Sequence, residues 1–203
     1  MKNIVKKIIS SEFNNGRDIV MGWCWTMPTA WTFKIPYVKE LLNKYVIFPE
    51  KWIDPYAGDN SPAYWANDIH PDRNTRFHMD ALDFVNDIYD SIANSDNSKA
   101  VYDGALYDPP YSFGQIKQHY KDIGRKLERK DTTYDFFSRV KNPLTKLIKV
   151  GGHVISFGWN HTGMGLVRGF EKVELLNIDH GGGHNCTCVT VEIKVHDNYT
   201  YKS

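Results

Sequence analysis

The most informative stretch of the chain reads Ala105-Leu106-Tyr107-Asp108-Pro109-Pro110-Tyr111. Its first three residues form a short apolar run, which predicts a buried strand. The two prolines have a fixed φ and no N–H group, so the turn is rigid and its carbonyl oxygens are free to accept hydrogen bonds. With the Asp108 carboxylate and the flat ring of Tyr111, this turn suits a planar ligand that carries an amino group. The alternative is a Pro-Pro turn that only closes a strand, with Tyr111 packed against it.

On both sides of this turn, short apolar runs alternate with segments of helical pattern. The runs cover 52–54, 64–69, 76–80, 105–108 and 153–159, the last entered through a turn at 151–152, while 170–178 and 186–195 form a hairpin across 181–183. The helical segments cover 36–45, 81–94, 112–128 and 134–150. Such alternation predicts an α/β fold with a mostly parallel sheet, which the closing hairpin extends by an antiparallel strand. The length predicts a single domain over 1–203.

Four of the predicted strands end in aspartate, at Asp54, Asp68, Asp80 and Asp108. Open parallel sheets bind ligands at the carboxyl ends of their strands, so these side chains are candidates for a shared site. The alternative reading of each one is an N-cap of the helix that follows.

Composition excludes several classes of protein. The 25 Lys and Arg residues nearly balance the 24 Asp and Glu residues, and a formal charge of +1 argues against a histone-like basic chain. The longest uncharged stretch, 19–33, is too short and too interrupted by Gly22 and Pro28 to span a bilayer. The first residues lack the pattern of a signal peptide, and three cysteines cannot all pair, so we expect a reduced, cytoplasmic protein without a membrane partner.

The tetrapeptide 108–111 resembles the catalytic signature of amino-methyltransferases, chiefly the DNA adenine-N6 methyltransferases that use S-adenosyl-L-methionine. Among these, the chain looks like the small stand-alone proteins of phages and bacteria. The resemblance extends from about Thr26 to Lys194. It implies a Rossmann-like class I methyltransferase fold, with a mostly parallel seven-stranded sheet, an antiparallel C-terminal hairpin strand and helices on both faces.

The same resemblance assigns cofactor-binding residues along the chain. The first motif, which cradles the methionine part of the cofactor, is similar to the segment Asp54, Pro55, Tyr56, Ala57, Gly58, Asp59, Asn60, with Asn60 in place of the family's second glycine. The acidic end of the second strand, which binds ribose hydroxyls, is similar to Asp68 and Ile69. The third-strand position that faces the adenine of the cofactor is similar to Asp80 and Ala81. The segment that closes over the cofactor is similar to Thr32 and Phe33, and Asp108 is expected at the cofactor too.

The activity implied is transfer of the methyl group to N6 of an adenine in DNA, with the target base flipped out of the duplex. Asp108 and the Pro109 carbonyl would accept the amino hydrogens, Pro110 would keep the turn rigid and Tyr111 would stack on the base. Other acceptors stay open, namely cytosine N4, RNA and a protein amide. A non-catalytic, methyltransferase-like subunit that binds nucleic acid is the alternative outside enzymes.

Basic residues follow the catalytic turn, and they predict contact with DNA phosphates. They are Lys117, Lys121, Arg125, Lys126, Arg129 and Lys130, and six positive charges minus Asp122 and Glu128 leave +4 in the window 115–130. The alternative is a solvated helix face. His184 and Asn185 in the hairpin are further candidates for nucleic-acid contact. Because 203 residues leave little room for a target-recognition domain, a homodimer or a separate specificity subunit is an expected partner.

Four histidine and cysteine residues near the hairpin could be metal ligands. His180, His184, Cys186 and Cys188 include alternate residues of one strand, but their spacing matches no Cys-x-x-Cys module, so we expect no metal.

Overall fold

In the computed structural model, which describes residues 5–9, 15–29, 31–94, 100–133 and 135–198, eight strands form one sheet. The strands are β1 (Val5–Ile9), β2 (Ile19–Trp25), β3 (Trp52–Asp54), β4 (Trp65–Ala66), β5 (Tyr102–Tyr107), β6 (Ile148–Gly158), β7 (Phe170–Asp179) and β8 (Thr187–Lys194). The described residues also contain α1 (Pro36–Tyr45), α2 (Ala81–Ala93), α3 (Phe113–Asp122) and α4 (Phe136–Leu147).

The strand order is β1-β2-β7-β8-β6-β5-β3-β4. Strands β4, β3, β5 and β6 are parallel to one another, whereas β8 is antiparallel to both of its neighbours, β6 and β7. On the far side, β2 pairs in parallel with β7, and β1 pairs antiparallel with β2. The predicted Rossmann-like α/β class, with its antiparallel hairpin strand, is therefore confirmed.

Helices cover both faces of the sheet, because side chains alternate along each strand. Leu106 of β5 and Ile155 of β6 pack into the core cluster that contains the buried residues of α1. Their neighbours Ala105 and Val154 face the opposite way, into the cluster built with α2 and α4. This arrangement of helices also confirms the prediction.

Strands β3 and β5 approach closely because Gly104 has no side chain. A Cβ atom at this position would lie 2.5 Å from the indole ring of Trp52, which is buried on the neighbouring strand. The pairing of these two strands brings the turn after β3 next to the turn after β5.

The sheet has eight strands, not the expected seven, because β1 and β2 add an N-terminal hairpin to it and one predicted strand does not form. The prediction of a strand over 76–80 is wrong: only Phe77 forms an isolated bridge, with Asn67. The Asn67 side chain holds this segment instead, since it donates to the carbonyls of Pro55 and Met79 and accepts from the Met79 amide. The predicted strand over 64–69 is reduced to β4.

Two other boundaries differ from the prediction. Helix α3 ends at Asp122 and does not reach 128, because Gly124 adopts a left-handed φ of 71° just beyond it. The expected turn at 151–152 lies inside β6, which begins at Ile148, and the pairing with β5 is irregular there.

Among the described residues, no helix has the length and apolar character needed to cross a bilayer. Their histidine, cysteine and acidic side chains do not gather in any group of three or more that suits a metal ion. Cys24, Cys186 and Cys188 are free thiols.

Candidate active site

A cavity of about 350 Å³ lies at the edge of the sheet where β3, β4 and β5 end. Its walls come from the turns after these strands, from the segment before α1, and from one side each of α2, α3 and α4. This is the edge at which open α/β sheets bind ligands, and the volume falls within the range of small-molecule sites.

Asp54, the last residue of β3, supports the turn that follows this strand. Its buried carboxylate accepts from the Tyr56 amide at 3.0 Å and from the Ser61 hydroxyl at 2.6 Å. Burial nevertheless raises the pKa of Asp54 to about 7. The sequence predicted Asp54 as a cofactor contact, but the residue is not part of the cavity wall. Its place in the structure is that of a support for the turn.

The cavity wall formed by this turn includes Gly58 and Asn60. Gly58 has a φ of 54°, in the left-handed region that glycine adopts most easily, and a Cβ atom there would lie 3.7 Å from the ring of Trp31. The Nδ2 atom of Asn60 is buried and has no hydrogen-bond partner in the described part of the chain. A buried donor without a partner is costly, so an acceptor on a bound molecule would stabilise this wall.

Asp68 joins two loops at the second strand end. Its carboxylate accepts from the Gly58 amide at 3.0 Å and from the His70 amide at 2.8 Å. Each carboxylate oxygen can accept more than one hydrogen bond, so Asp68 keeps acceptor capacity toward the cavity that it lines with Ile69.

Asp80 caps α2 and also forms an ion pair across the cavity wall. One carboxylate oxygen accepts from the Leu82 amide at 3.0 Å, and the other accepts from the Arg125 guanidinium at 2.7 Å. Arg125 lies 3.7 Å from the buried carboxylate of Asp131 and packs over the ring of Tyr120. The sequence predicted Arg125 at the DNA phosphates, whereas the structure places it in this wall.

The turn 108–111 is fixed at the start of α3 by a capping box. The Ser112 hydroxyl accepts from the Gln115 amide, and the Gln115 side chain accepts from the Ser112 amide and, at 2.5 Å, from the Tyr111 amide. The Tyr111 hydroxyl donates to the Asp108 carboxylate. The Tyr111 ring packs edge-on against Trp159, with centroids 5.9 Å apart. The turn is thus held rigidly while Tyr111 stays at the cavity surface.

Desolvation disfavours the charged carboxylate of Asp108 relative to the protonated acid. Burial raises the pKa of Asp108 to about 6, although hydrogen bonds with Tyr111 and Thr32 act to lower it. At neutral pH the group is therefore a carboxylate held in a site of low polarity, where it is a strong hydrogen-bond acceptor.

Apart from Asp54, the structure brings the predicted catalytic and cofactor-binding residues together in this cavity. They are Thr32, Phe33, Pro55, Tyr56, Ala57, Gly58, Asn60, Asp68, Ile69, Asp80, Ala81, Asp108, Pro109, Pro110 and Tyr111.

Apart from Arg125 and Lys130, the predicted nucleic-acid contacts lie outside the cavity. Lys117, Lys121, Lys126, Arg129, His184 and Asn185 are exposed. The side chain of Lys130 lies outside the described part of the structure.

Sequence reasoning missed a second set of cavity residues. Gln115, His119 and Tyr120 lie on one side of α3, and their helical spacing directly after the turn 108–111 was a usable signal. Asp131, before α4, and Arg139, within it, also line the cavity, and no local pattern marks them. Trp31 lines it too; in the sequence it belongs to an aromatic cluster with Trp23, Trp25 and Phe33, which is compatible with a wall of a cofactor pocket or with core packing.

No protein-family profile and no curated protein matches the sequence. Among solved structures, the chain is similar to a Haemophilus influenzae protein provisionally named a methylase. The two share 10% identity with a TM-score of 0.41, over 95% of this chain and 100% of that one. A likeness this distant does not bear on the function of the chain.

Proposed function

We propose that the chain is an S-adenosyl-L-methionine-dependent methyltransferase that methylates N6 of adenine in DNA. One observation supports this above others: the rigid turn 108–111 lies in the same cavity as the turn at Gly58 and the carboxylates of Asp68 and Asp80. An amino-group acceptor site and a site for a polar nucleoside therefore adjoin.

The residues of this cavity fit the proposed cofactor. The unpartnered Nδ2 of Asn60 offers a donor for a carboxylate, and the left-handed Gly58 leaves room for close approach. Asp68 offers an acceptor for ribose hydroxyls, and Asp80 offers one for an adenine amino group. When bound, the cofactor would supply an electrophilic methyl group carried on a positively charged sulfur.

Asp108 and the Pro109 carbonyl would accept the two N–H bonds of the target amino group. Accepting both hydrogens pulls the nitrogen toward tetrahedral geometry, so its lone pair is less delocalised into the ring. The base would displace the Tyr111 hydroxyl from Asp108, and the Tyr111 ring would then stack on it. Positioning and preorganised acceptors supply the catalysis in this scheme.

The step balances without an enzyme-bound intermediate. N6 would gain the methyl group as the carbon–sulfur bond breaks and leaves its electron pair on a neutral thioether sulfur, and the nitrogen would then lose one proton. Asp108 accepts from this nitrogen and has a pKa of about 6, so it is suited to take the proton and pass it to water.

Calorimetric titration with S-adenosyl-L-methionine tests the cofactor assignment. We expect the wild-type protein to bind it, and Asp68→Ala to weaken binding by about tenfold or more because ribose hydrogen bonds are lost. Asp72→Ala is the matched control, since this exposed aspartate follows Asp68 by four residues but does not line the cavity, and its loss should leave affinity within a few-fold. Absence of binding by the wild-type protein would contradict the proposal.

A further inference from the structure

A second recess lies on the sheet beyond the candidate active site. It is open, encloses about 470 Å³ and is lined by Trp23, Cys24, Trp25, Asn177, Asp179 and Cys186. None of these residues lines the first cavity, and none has a role in the function proposed above.

Two tryptophans lie beside two polar residues in this recess. Trp23 pairs in register with Asn177, and Trp25 pairs with Asp179, on the parallel strands β2 and β7. Alternate residues of a strand share a face, so all four side chains are on the same side of the sheet. Trp25 is 57% exposed, although tryptophan usually buries most of its surface.

The polar edge of the recess has a fixed orientation. His161 bridges the Thr190 hydroxyl, at 2.7 Å, and the Asn177 Oδ1 atom, at 3.1 Å. Burial lowers the pKa of His161, so the neutral ring donates from Nε2 to Asn177 and accepts from Thr190. With its oxygen engaged, Asn177 presents its Nδ2 donor at the recess. Asp179 accepts from the Gly181 amide through Oδ1, which leaves Oδ2 as an acceptor.

Neither Asn177 Nδ2 nor Asp179 Oδ2 has a hydrogen-bond partner within the described residues. The recess therefore offers two exposed indole rings beside one donor and one acceptor. Every nucleobase has a flat face for stacking and an edge on which donors and acceptors alternate.

One row of paired residues runs across the sheet from the recess toward the candidate active site. Trp23, Asn177, Cys188 and Gly158 are paired in register across four strands. Three strand spacings put the ends of this row about 14 Å apart. Trp159 follows Gly158 and packs against Tyr111 of the catalytic turn. The exposed turn with His184 and Asn185 borders the recess at Cys186.

We propose that this recess binds an unstacked nucleobase of the nucleic acid whose target base occupies the catalytic turn. Trp23 and Trp25 stack on the base, and Asn177 and Asp179 hydrogen bond its edge. Because the row spans about 14 Å and the target base lies beyond its Gly158 end, the base in the recess belongs to a nucleotide several positions from the target. The link to a target base rests on the proposed function; the base-binding site itself does not.

Fluorescence anisotropy with a short single-stranded oligothymidylate carrying one central adenosine tests the site. We expect Trp25→Leu to weaken binding by about 5- to 150-fold, which is the range that loss of one base stack produces. Trp25→Phe should keep most of the affinity, because it keeps a ring. Phe48→Leu is the matched control: Phe48 is equally exposed, at 57%, but precedes β3 at the opposite edge of the sheet.

An abasic scan of the same probe gives the second arm. Removing single bases in turn should identify a position several nucleotides from the adenosine at which the loss weakens binding to the wild-type protein and has little further effect on Trp25→Leu. Wild-type affinity in Trp25→Leu, or additive losses in this cycle, would overturn the inference, as would a wild-type protein that binds no oligonucleotide. A loss of affinity counts for the site only in a variant that keeps the wild-type melting temperature. If Trp25→Leu does not keep it, Trp23→Leu replaces it in both experiments.

Methyl transfer to the same probe separates the two proposals. If Trp25 governs binding but no methyl group is transferred, the base site stands and the proposed function fails. If methyl transfer proceeds and binding does not depend on Trp25, the proposed function stands and the base site fails.

Discussion

At the scale of single residues, the proposed chemistry depends on the ionised form of Asp108. The ionised carboxylate accepts from the Tyr111 hydroxyl in the free protein and would accept from the amino group in its place once the base is bound, and burial holds its pKa at about 6. Below that pH the group takes up a proton and loses acceptor capacity. We therefore expect kcat/KM for methyl transfer to fall tenfold per pH unit below about 6.

Tyr111→Phe should shift the pH at which the rate of methyl transfer falls. The Tyr111 hydroxyl lowers the pKa of Asp108, so its removal should raise that pKa and shift the acid limb of the pH–rate profile upward. The ring needed for stacking is kept. An acid limb at the same pH in both proteins would show that Asp108 does not control the rate.

Individual residues also show what the sequence predicts well. Asp68 and Asp108 were expected at strand ends and lie in the cavity, because the parallel strands β4 and β5 end at a common edge. Asp80 lies there as well, although the strand expected before it does not form and the residue is the N-cap of α2. The roles of Asp54 and Arg125 were not predictable in the same way. Whether a carboxylate points into a cavity or under a turn depends on Ser61, and the placement of Arg125 depends on Asp131 and Asp80, which lie on other segments.

At the scale of elements, the N-terminal hairpin escaped prediction for a related reason. Strand β2 gains its pairing from β7, about 150 residues further along the chain, so no local pattern reveals that partner. The central strands were predicted because each is an apolar run bounded by turn residues. The strand predicted over 76–80 does not form, because the Asn67 side chain holds this segment in place of backbone pairing.

Contact between β3 and β5 leads to a stability prediction. Gly104→Ala should lower the free energy of unfolding by about 1–3 kcal/mol, because the new methyl group would overlap the buried ring of Trp52. Gly114→Ala in α3 is the matched control, since its new Cβ would meet no atom closer than 3.7 Å. That change should stabilise the helix by up to about 1 kcal/mol. Urea denaturation measures both, and equal effects would contradict the close approach of β3 and β5.

At the scale of the whole molecule the net charge is only +1, but the window 115–130, part of which lines the cavity, carries +4. If this region contacts DNA phosphates, Lys126→Gln and Arg129→Gln should each reduce the slope of log affinity against log salt by about 0.9. Lys51→Gln is the control, because this exposed lysine precedes β3 at the opposite edge of the sheet. If the slope is unchanged in Lys126→Gln and Arg129→Gln, these two residues do not contact DNA phosphates.

The measurement that tests the central proposal most directly is product analysis after methyl transfer. The protein is incubated with labelled S-adenosyl-L-methionine and mixed-sequence duplex DNA, and the DNA is digested to nucleosides. We predict label in N6-methyladenine with the wild-type protein and none with Asp108→Ala. Label in N4-methylcytosine would keep the amino-group chemistry and change the base. DNA that remains unlabelled, with a protein that also fails to bind the cofactor, would contradict the account.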